Sequence, residues 1–221
     1  MKAMILAAGR GERMKPLSDA IPKCLLEVRG KTLIARVIEA LARSGVGEMV
    51  INHAYLGHMI EAALGDGRRF GVSISYSPEA EPLETAGGIA KALPLLGEAP
   101  FLAVNSDIFC DFDFSTLTGR QLGEDLAHLV LVGNPPHHPE GDFFMNGSKV
   151  SETGNFKRTF SGIGLYRTEL FASVKPGSKA QLAPLLRAAM ARGLVSGELH
   201  RGLWHDVGTP RRLAELNESV A

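Results

Sequence analysis

Scarcity narrows this 221-residue chain quickly. It has only two cysteines, Cys24 and Cys110, too few for a disulfide framework, so a reducing, cytoplasmic setting is expected. No apolar run approaches the roughly 20 residues that a membrane span needs. The short apolar start, Met4 to Ala8, is broken by Gly9 and Arg10 before it reaches the length of a signal-peptide core. Charge of either sign is not in excess, since Lys plus Arg and Asp plus Glu both count 24, which argues against nucleic acid or an acidic membrane as partner. Repeats, low-complexity tracts and linkers are missing too. A single domain over residues 1–221 is therefore expected, and 45% hydrophobic residues supply enough apolar material for one sizeable core.

What stands out is Leu6 to Lys23, LAAGRGERMKPLSDAIPK. A short apolar strand ending at Leu6 runs into two alanines, two glycines one residue apart, and then the cations Arg13 and Lys23. Small residues let a backbone approach a ligand, glycine permits turns that aim successive N–H groups at one point, and the two cations supply charged donors. That grammar describes a loop built to hold phosphate.

Downstream, apolar residues recur at helical spacing from Leu33 to Leu41 after Thr32, a predicted N-cap, and a strand over Met49–Asn52 follows. Further helices are expected over Met59–Leu64 and from Glu84 through Leu93, with strands over Val72–Tyr76 and Phe101–Val104. This alternation predicts a single-domain, Rossmann-like α/β fold: a mostly parallel sheet with helices on both faces. Ligands of such sheets sit beyond the carboxyl ends of the strands, where the opening loop, Asn52-His53 and Asn105 to Asp107 all fall. The second half is less regular. Strands are expected at Leu129–Val132 and Thr159–Tyr166, a hairpin over Phe143–Val150 turning at Asn146-Gly147, and helices over Ala180–Ala191 and from Pro210, with Thr209 as its cap. Residues 1–110 thus read as a nucleotide-binding half, and 111–221 as a smaller antiparallel region on the acceptor side.

Several chemistries can be set aside. No G-x-x-x-x-G-K-[ST] run exists, and a dinucleotide fingerprint would need a third glycine where Met14 stands. Neither His137-His138 nor His205 has zinc-ligand spacing, and no G-x-S-x-G elbow is present.

The string LAAGRGERMKPL followed by PKCLLEVRGKTLI closely resembles the signature of the nucleotidyltransferases that join a sugar 1-phosphate to a nucleoside triphosphate. Departures are small: Ser18 for the usual Thr, Cys24, and Lys31-Thr32. The resemblance implies that Ala7, Ala8, Gly9, Arg10 and Gly11 line the nucleotide, that Arg13 meets the β- and γ-phosphates, and that Lys23 meets the α-phosphate and the incoming sugar phosphate. Asn105-Ser106-Asp107 is similar to an element whose aspartate holds Mg²⁺, and Trp204-His205-Asp206-Val207-Gly208-Thr209-Pro210 to the one supplying a second metal carboxylate, Asp206. Catalysis is then expected of Arg13, Lys23 and Asp107. Base recognition is expected from Glu81 to Gly88, with Thr85 and Gly87, together with Asn52. For the sugar phosphate the candidates are Asn105, Gly141, Asp142 and Asp206.

Within that family, INHAYLG and PLETAGG are most similar to the uridylyltransferases acting on N-acetylmuramic acid 1-phosphate, which implies UTP and a role in peptidoglycan recycling. A GTP-dependent enzyme of mannose, glucose or a heptose, or a non-catalytic nucleotide-sugar-binding homologue, are the alternatives. The expected assembly is a monomer or small homo-oligomer.

Overall fold

The computed structural model describes residues 1–219, so the last two residues of the expected 1–221 domain lie outside the described residues. The chain begins with β1 (Lys2–Leu6), α1 (Leu17–Ala20) and the short hairpin β2 (Glu27–Val28) and β3 (Lys31–Thr32). Next come α2 (Leu33–Arg43), β4 (Glu48–His53), α3 (Gly57–Leu64), β5 (Ser73–Pro78), α4 (Glu84–Leu96) and β6 (Phe101–Asn105). Thr32 caps α2 as expected, its hydroxyl accepting the Ala35 N–H at 3.3 Å, an interaction worth about 1 kcal/mol.

Strand alternation decides the layers. Ala3 and Ile5 of β1, with Leu102 and Val104 of β6, pack under Ile34, Val37 and Ile38 of α2 and Ile60 of α3. Their neighbours Met4, Phe101 and Ala103 point the other way, against Ala86, Ile89 and Ala92 of α4. A strand apolar on both faces needs cover on both, and the helices supply it.

The second half contains β7 (Ile108–Cys110), α5 (Ser115–Thr118), β8 (Ala127–Val132), β9 (Phe143–Asn146), β10 (Lys149–Ser151) and β11 (Lys157–Tyr166). It closes with α6 (Leu182–Met190), β12 (Val195–Leu199), β13 (Trp204–Asp206) and α7 (Pro210–Ser219). These strands extend the first sheet, giving nine strands in the order β5-β4-β1-β6-β11-β8-β12-β10-β9. From β5 to β6 the pairing is parallel, β11 runs antiparallel to both β6 and β8, and β12 returns parallel to β8. The α/β class holds, and the sheet is mixed.

One sequence expectation shifts and one strand was not expected. The helix predicted over Ala180–Ala191 starts two residues later, because Ala180 is used elsewhere: its carbonyl accepts the N–H groups of Ala86 and Gly87 at 2.9 and 3.1 Å, and its own N–H donates to Leu83. The segment before α6 therefore holds the start of α4. Val195–Leu199, VSGEL, is a strand that its sequence conceals, since it enters the sheet between β8 and β10 and its buried residues, Val195, Ser196 and Gly197, include only one large apolar side chain. Among the described residues no helix is long and apolar enough to cross a membrane.

Candidate functional site

Three parallel strands meet on one rung at their carboxyl ends, Leu6 of β1 facing Asn52 of β4, one residue before that strand stops, on one side and Asn105 of β6 on the other. Beyond that rung the phosphate loop turns. Gly11 adopts φ +68°, a conformation L side chains rarely take, and its carbonyl accepts the Met14 N–H and the Ser18 hydroxyl, both at 2.8 Å. A Cβ at Gly11 would stand 3.2 Å from Cβ of Lys23, so the glycine also lets the Lys23 stem lie across the loop. Ser18 is a buried part of the turn, which explains why a hydroxyl residue stands there.

Ala7, Gly9, Gly11, Arg13, Lys23 and Asp107 line one cavity of about 270 Å³. Asp107 is carried past β6, where Ser106 donates both its N–H and its hydroxyl to the Leu6 carbonyl, at 3.1 and 2.7 Å. Across 84 positions of sequence, the Lys23 ammonium and the Asp107 carboxylate form an ion pair, with side chains 13% and 29% exposed. Arg13 makes no ion pair among the described residues, leaving its guanidinium available to an anion. Cys24 lies behind Lys23, and burial pushes its thiol up to about 12, which keeps it inert in this setting.

A second cavity, of about 290 Å³, shares Leu6 with the first. Asn105, Asp142, Phe160, Gly162, Glu84 and Thr85 supply much of its wall. It is the more apolar of the two, with the buried Tyr166 and Leu182 also in its wall. Gly162, φ +80°, sits at the irregularity where the β11 register with β8 slips between Phe160 and Ile163. A Cβ there would come within 2.5 Å of the Asn105 amide nitrogen, so this glycine makes room for Asn105. Asp142 is held by the Phe160 N–H at 2.8 Å and by His138 Nε2 at 3.1 Å. Glu84, at φ +62°, is a left-handed non-glycine residue at the entrance to α4.

Of the residues singled out by sequence, the first cavity gathers Ala7, Gly9, Gly11, Arg13, Lys23 and Asp107, and the second Thr85, Asn105 and Asp142. The others go elsewhere. Arg10 points outward to Glu12 at 3.0 Å and over the Tyr55 ring, and Ala8 is not part of either cavity wall. Asn52 is 3% exposed, its amide spent on Ala7 N–H and Glu79 beneath the loop, so it supports the loop and is not itself a contact surface. Gly87 packs against residues 178–180, where a Cβ would lie 2.3 Å from the Ser178 carbonyl. Gly141, φ +63°, turns the chain over the Lys157 carbonyl and so aims Asp142.

Asp206 is placed by the pairing of β13 with β7, opposite Ile108, and the Val207 N–H donates to the Asp107 carbonyl at 2.9 Å. Gly208 thereby borders the first cavity. The Asp206 carboxylate, however, is turned to Arg212 and to His137 Nε2 at 2.9 Å, on a neighbouring surface recess. It does not share the wall that Lys23 and Asp107 form. Sequence reading also missed Phe160 and Gln181 of the second cavity, and the buried Glu79, which nothing in their local wording marks; Glu84 falls inside the expected Glu81–Gly88 stretch without being singled out there.

Residues 2–144 match the family model described as nucleotidyl transferase. An N-acetylmuramate alpha-1-phosphate uridylyltransferase from Neisseria meningitidis serogroup B is 55% identical over 97% of this chain and 96% of its own length. A mannose-1-phosphate guanyltransferase from Gibberella zeae is 30% identical over 96% of the chain, which spans 62% of that longer enzyme. Among solved structures, HddC from Yersinia pseudotuberculosis complexed with GMP-PN superposes with a TM-score of 0.80 at 20% identity, covering 100% of this chain and 99% of the other. A UDP-glucose pyrophosphorylase complexed with UDP-glucose gives 0.79 at 19% identity, covering 99% and 97%. At such identities the two structures speak for the fold.

Proposed function

The chain belongs to the nucleotidyl transferase family, and from that premise we propose that its two adjoining cavities bring UTP together with N-acetylmuramic acid 1-phosphate. It is a sugar 1-phosphate nucleotidyltransferase. The choice of base and sugar rests on the likeness to the meningococcal uridylyltransferase along nearly the whole of both chains. The observation that carries the catalytic reading is the meeting of Lys23 and Asp107, from opposite ends of the nucleotide half, in the cavity lined by the glycine loop and Arg13.

In this reading a phosphate oxygen of the sugar 1-phosphate attacks the α-phosphorus of the triphosphate. One oxygen–phosphorus bond forms, the bond to the β-phosphate oxygen breaks, and pyrophosphate leaves. A phosphate monoester has its second pKa near 6, so the nucleophile is already largely a dianion at neutral pH and needs no general base. The difficulty is the gathering of negative charge. Arg13 and the loop N–H groups meet the leaving phosphates, while Lys23 swaps its Asp107 partner for the α-phosphate and the sugar phosphate. Positioning in adjoining cavities supplies the rest.

Asp107, a partly exposed hard-oxygen donor facing the phosphate cavity, suits Mg²⁺, which is commonly held by one or two carboxylates and the substrate phosphates. Asp206 is the second carboxylate in this reading, and it joins only by giving up Arg212 and His137. Bound there, the cation would neutralise phosphate charge during displacement. Asn105 and Asp142 hold the sugar, and Thr85 borders both base and sugar. Since UTP is a cytoplasmic metabolite, the reaction belongs to the cytoplasm, and its product to peptidoglycan recycling.

The test is pyrophosphate release by purified protein with Mg²⁺, crossing four nucleoside triphosphates with a panel of sugar 1-phosphates. The expected result is turnover with UTP and N-acetylmuramic acid 1-phosphate above all other pairs. Preference for GTP with mannose 1-phosphate would overturn the substrate assignment, and no turnover with any pair would overturn the catalytic one.

A further inference from the structure

Glu79 follows β5 and is 5% exposed, yet no cation pairs with it among the described residues. A buried carboxylate held by neutral donors alone is a costly choice, and each of its oxygens has a separate task. Oε1 accepts the Asn52 amide Nδ2–H at 2.7 Å, and Oε2 accepts the Leu83 backbone N–H at 2.9 Å. Asn52 then accepts the Ala7 N–H on its own Oδ1 at 3.0 Å. Gly88 closes the arrangement, since a Cβ at that position would lie 2.7 Å from both Asn52 Nδ2 and Glu79 Oε1.

The orientation of the Asn52 amide is dictated from both sides. Ala7 offers a donor, so Asn52 must present oxygen to it and its NH₂ to residue 79. Leu83 offers a second donor to residue 79. Two donors converge there, and only a carboxylate accepts both; a glutamine would set its own NH₂ against one of them. The residue thus ties the first turn of the phosphate loop to the Leu83–Thr85 entrance of the second cavity, two stretches more than 70 positions apart in sequence.

We propose that Glu79 is a positioning residue for nucleotidyl transfer, fixing the Asn52 amide so that the Ala7 end of the phosphate loop and the Thr85 entrance are held in one register. The proposal rests on the phosphate cavity being the nucleotide site. Its signature is a relay whose middle hydrogen bond is reversible in sense. In the swapped variant Asn52→Asp with Glu79→Gln, the Ala7 N–H donates to one oxygen of the new carboxylate, the new glutamine amide donates to the other, and the glutamine oxygen accepts Leu83 N–H. Every hydrogen bond survives, while the charge moves from one residue to the other.

The experiment compares wild type, Glu79→Gln and the swap for turnover, for KM of UTP and of the sugar 1-phosphate, and for amide hydrogen exchange at Ala7 and Leu83. Glu79→Gln is expected to raise the UTP KM about tenfold, the equivalent of one lost hydrogen bond of about 1.4 kcal/mol, and to blur preference among triphosphates. Exchange at Ala7 and Leu83 accelerates in the single variant and slows again in the swap, which recovers most of the UTP KM. A single variant with unchanged UTP KM and preference, or a swap no better than the single, overturns the proposal. Should Glu79→Gln fail to fold, a folded swap with UTP KM near wild type supports it, and a folded swap with UTP binding lost refutes it. If wild type itself turns nothing over, the functional reading has failed, and the exchange rates still decide whether the relay exists: unchanged rates in Glu79→Gln dismiss it.

Discussion

The two cavities that meet at Leu6 are made in opposite ways. The phosphate cavity comes almost entirely from one loop between Leu6 and Lys23, closed by Asp107, and its walls are backbone, glycine and charge. The second cavity draws on β6, the start of α4, the Gly141 turn, the β11 irregularity and the start of α6. Left-handed backbone differs too: the loop assigns it to Gly11, at no steric cost, whereas the second cavity uses it at Gly162 and also at Glu84, where a side chain bears the cost. A ligand shared by many enzymes can be held by a short local motif. A selective pocket has to be assembled from distant stretches, and it tolerates strain.

That contrast can be broken most forcefully from the phosphate side. Lys23→Ala and Asp107→Asn are each expected to lower turnover a hundredfold or more, measured by pyrophosphate release, with melting temperatures that keep the protein folded under assay conditions. Normal rates in either would mean that the ion pair is structural. A smaller effect is expected across Leu6: Asn105→Ala should raise the KM of the sugar 1-phosphate about tenfold and leave that of UTP within twofold. Equal rises in both would erase the division between the cavities. Smallest is Glu84→Gly, which relieves φ +62° and should stabilise the fold by about 1 kcal/mol in denaturant unfolding, while weakening sugar 1-phosphate binding. Lower stability would show that the strain is compensated locally.

The difference in construction explains what could be read from sequence. Arg13, Lys23 and Asp107 were legible because their neighbours carry wording specific to phosphate, and the strand-helix rhythm from β1 to β6 follows from apolar periodicity. Asn52 was found at a strand end, but its burial beneath Ala7 depends on Glu79, 27 residues later, which no local pattern announces. Asp206 shows the same limit: its motif is clear, but the partner of its carboxylate is set by Arg212 on α7 and His137 in a distant loop. Gly87 and Gly141 read as ligand-facing glycines because spacing cannot say what a missing Cβ would strike. Even β12 is hidden, since VSGEL becomes a strand through its neighbours β8 and β10.

The position of β11 has a consequence for biosynthesis. It is the strand between β6 and β8, so the parallel half keeps an open edge along Phe101–Asn105 until residues 157–166 have left the ribosome. Such an edge is apolar on both faces and open to foreign strands. Residues 1–110, despite holding the whole phosphate loop and Asp107, therefore form an incomplete folding unit, and the nascent chain depends on a late strand to seal the sheet.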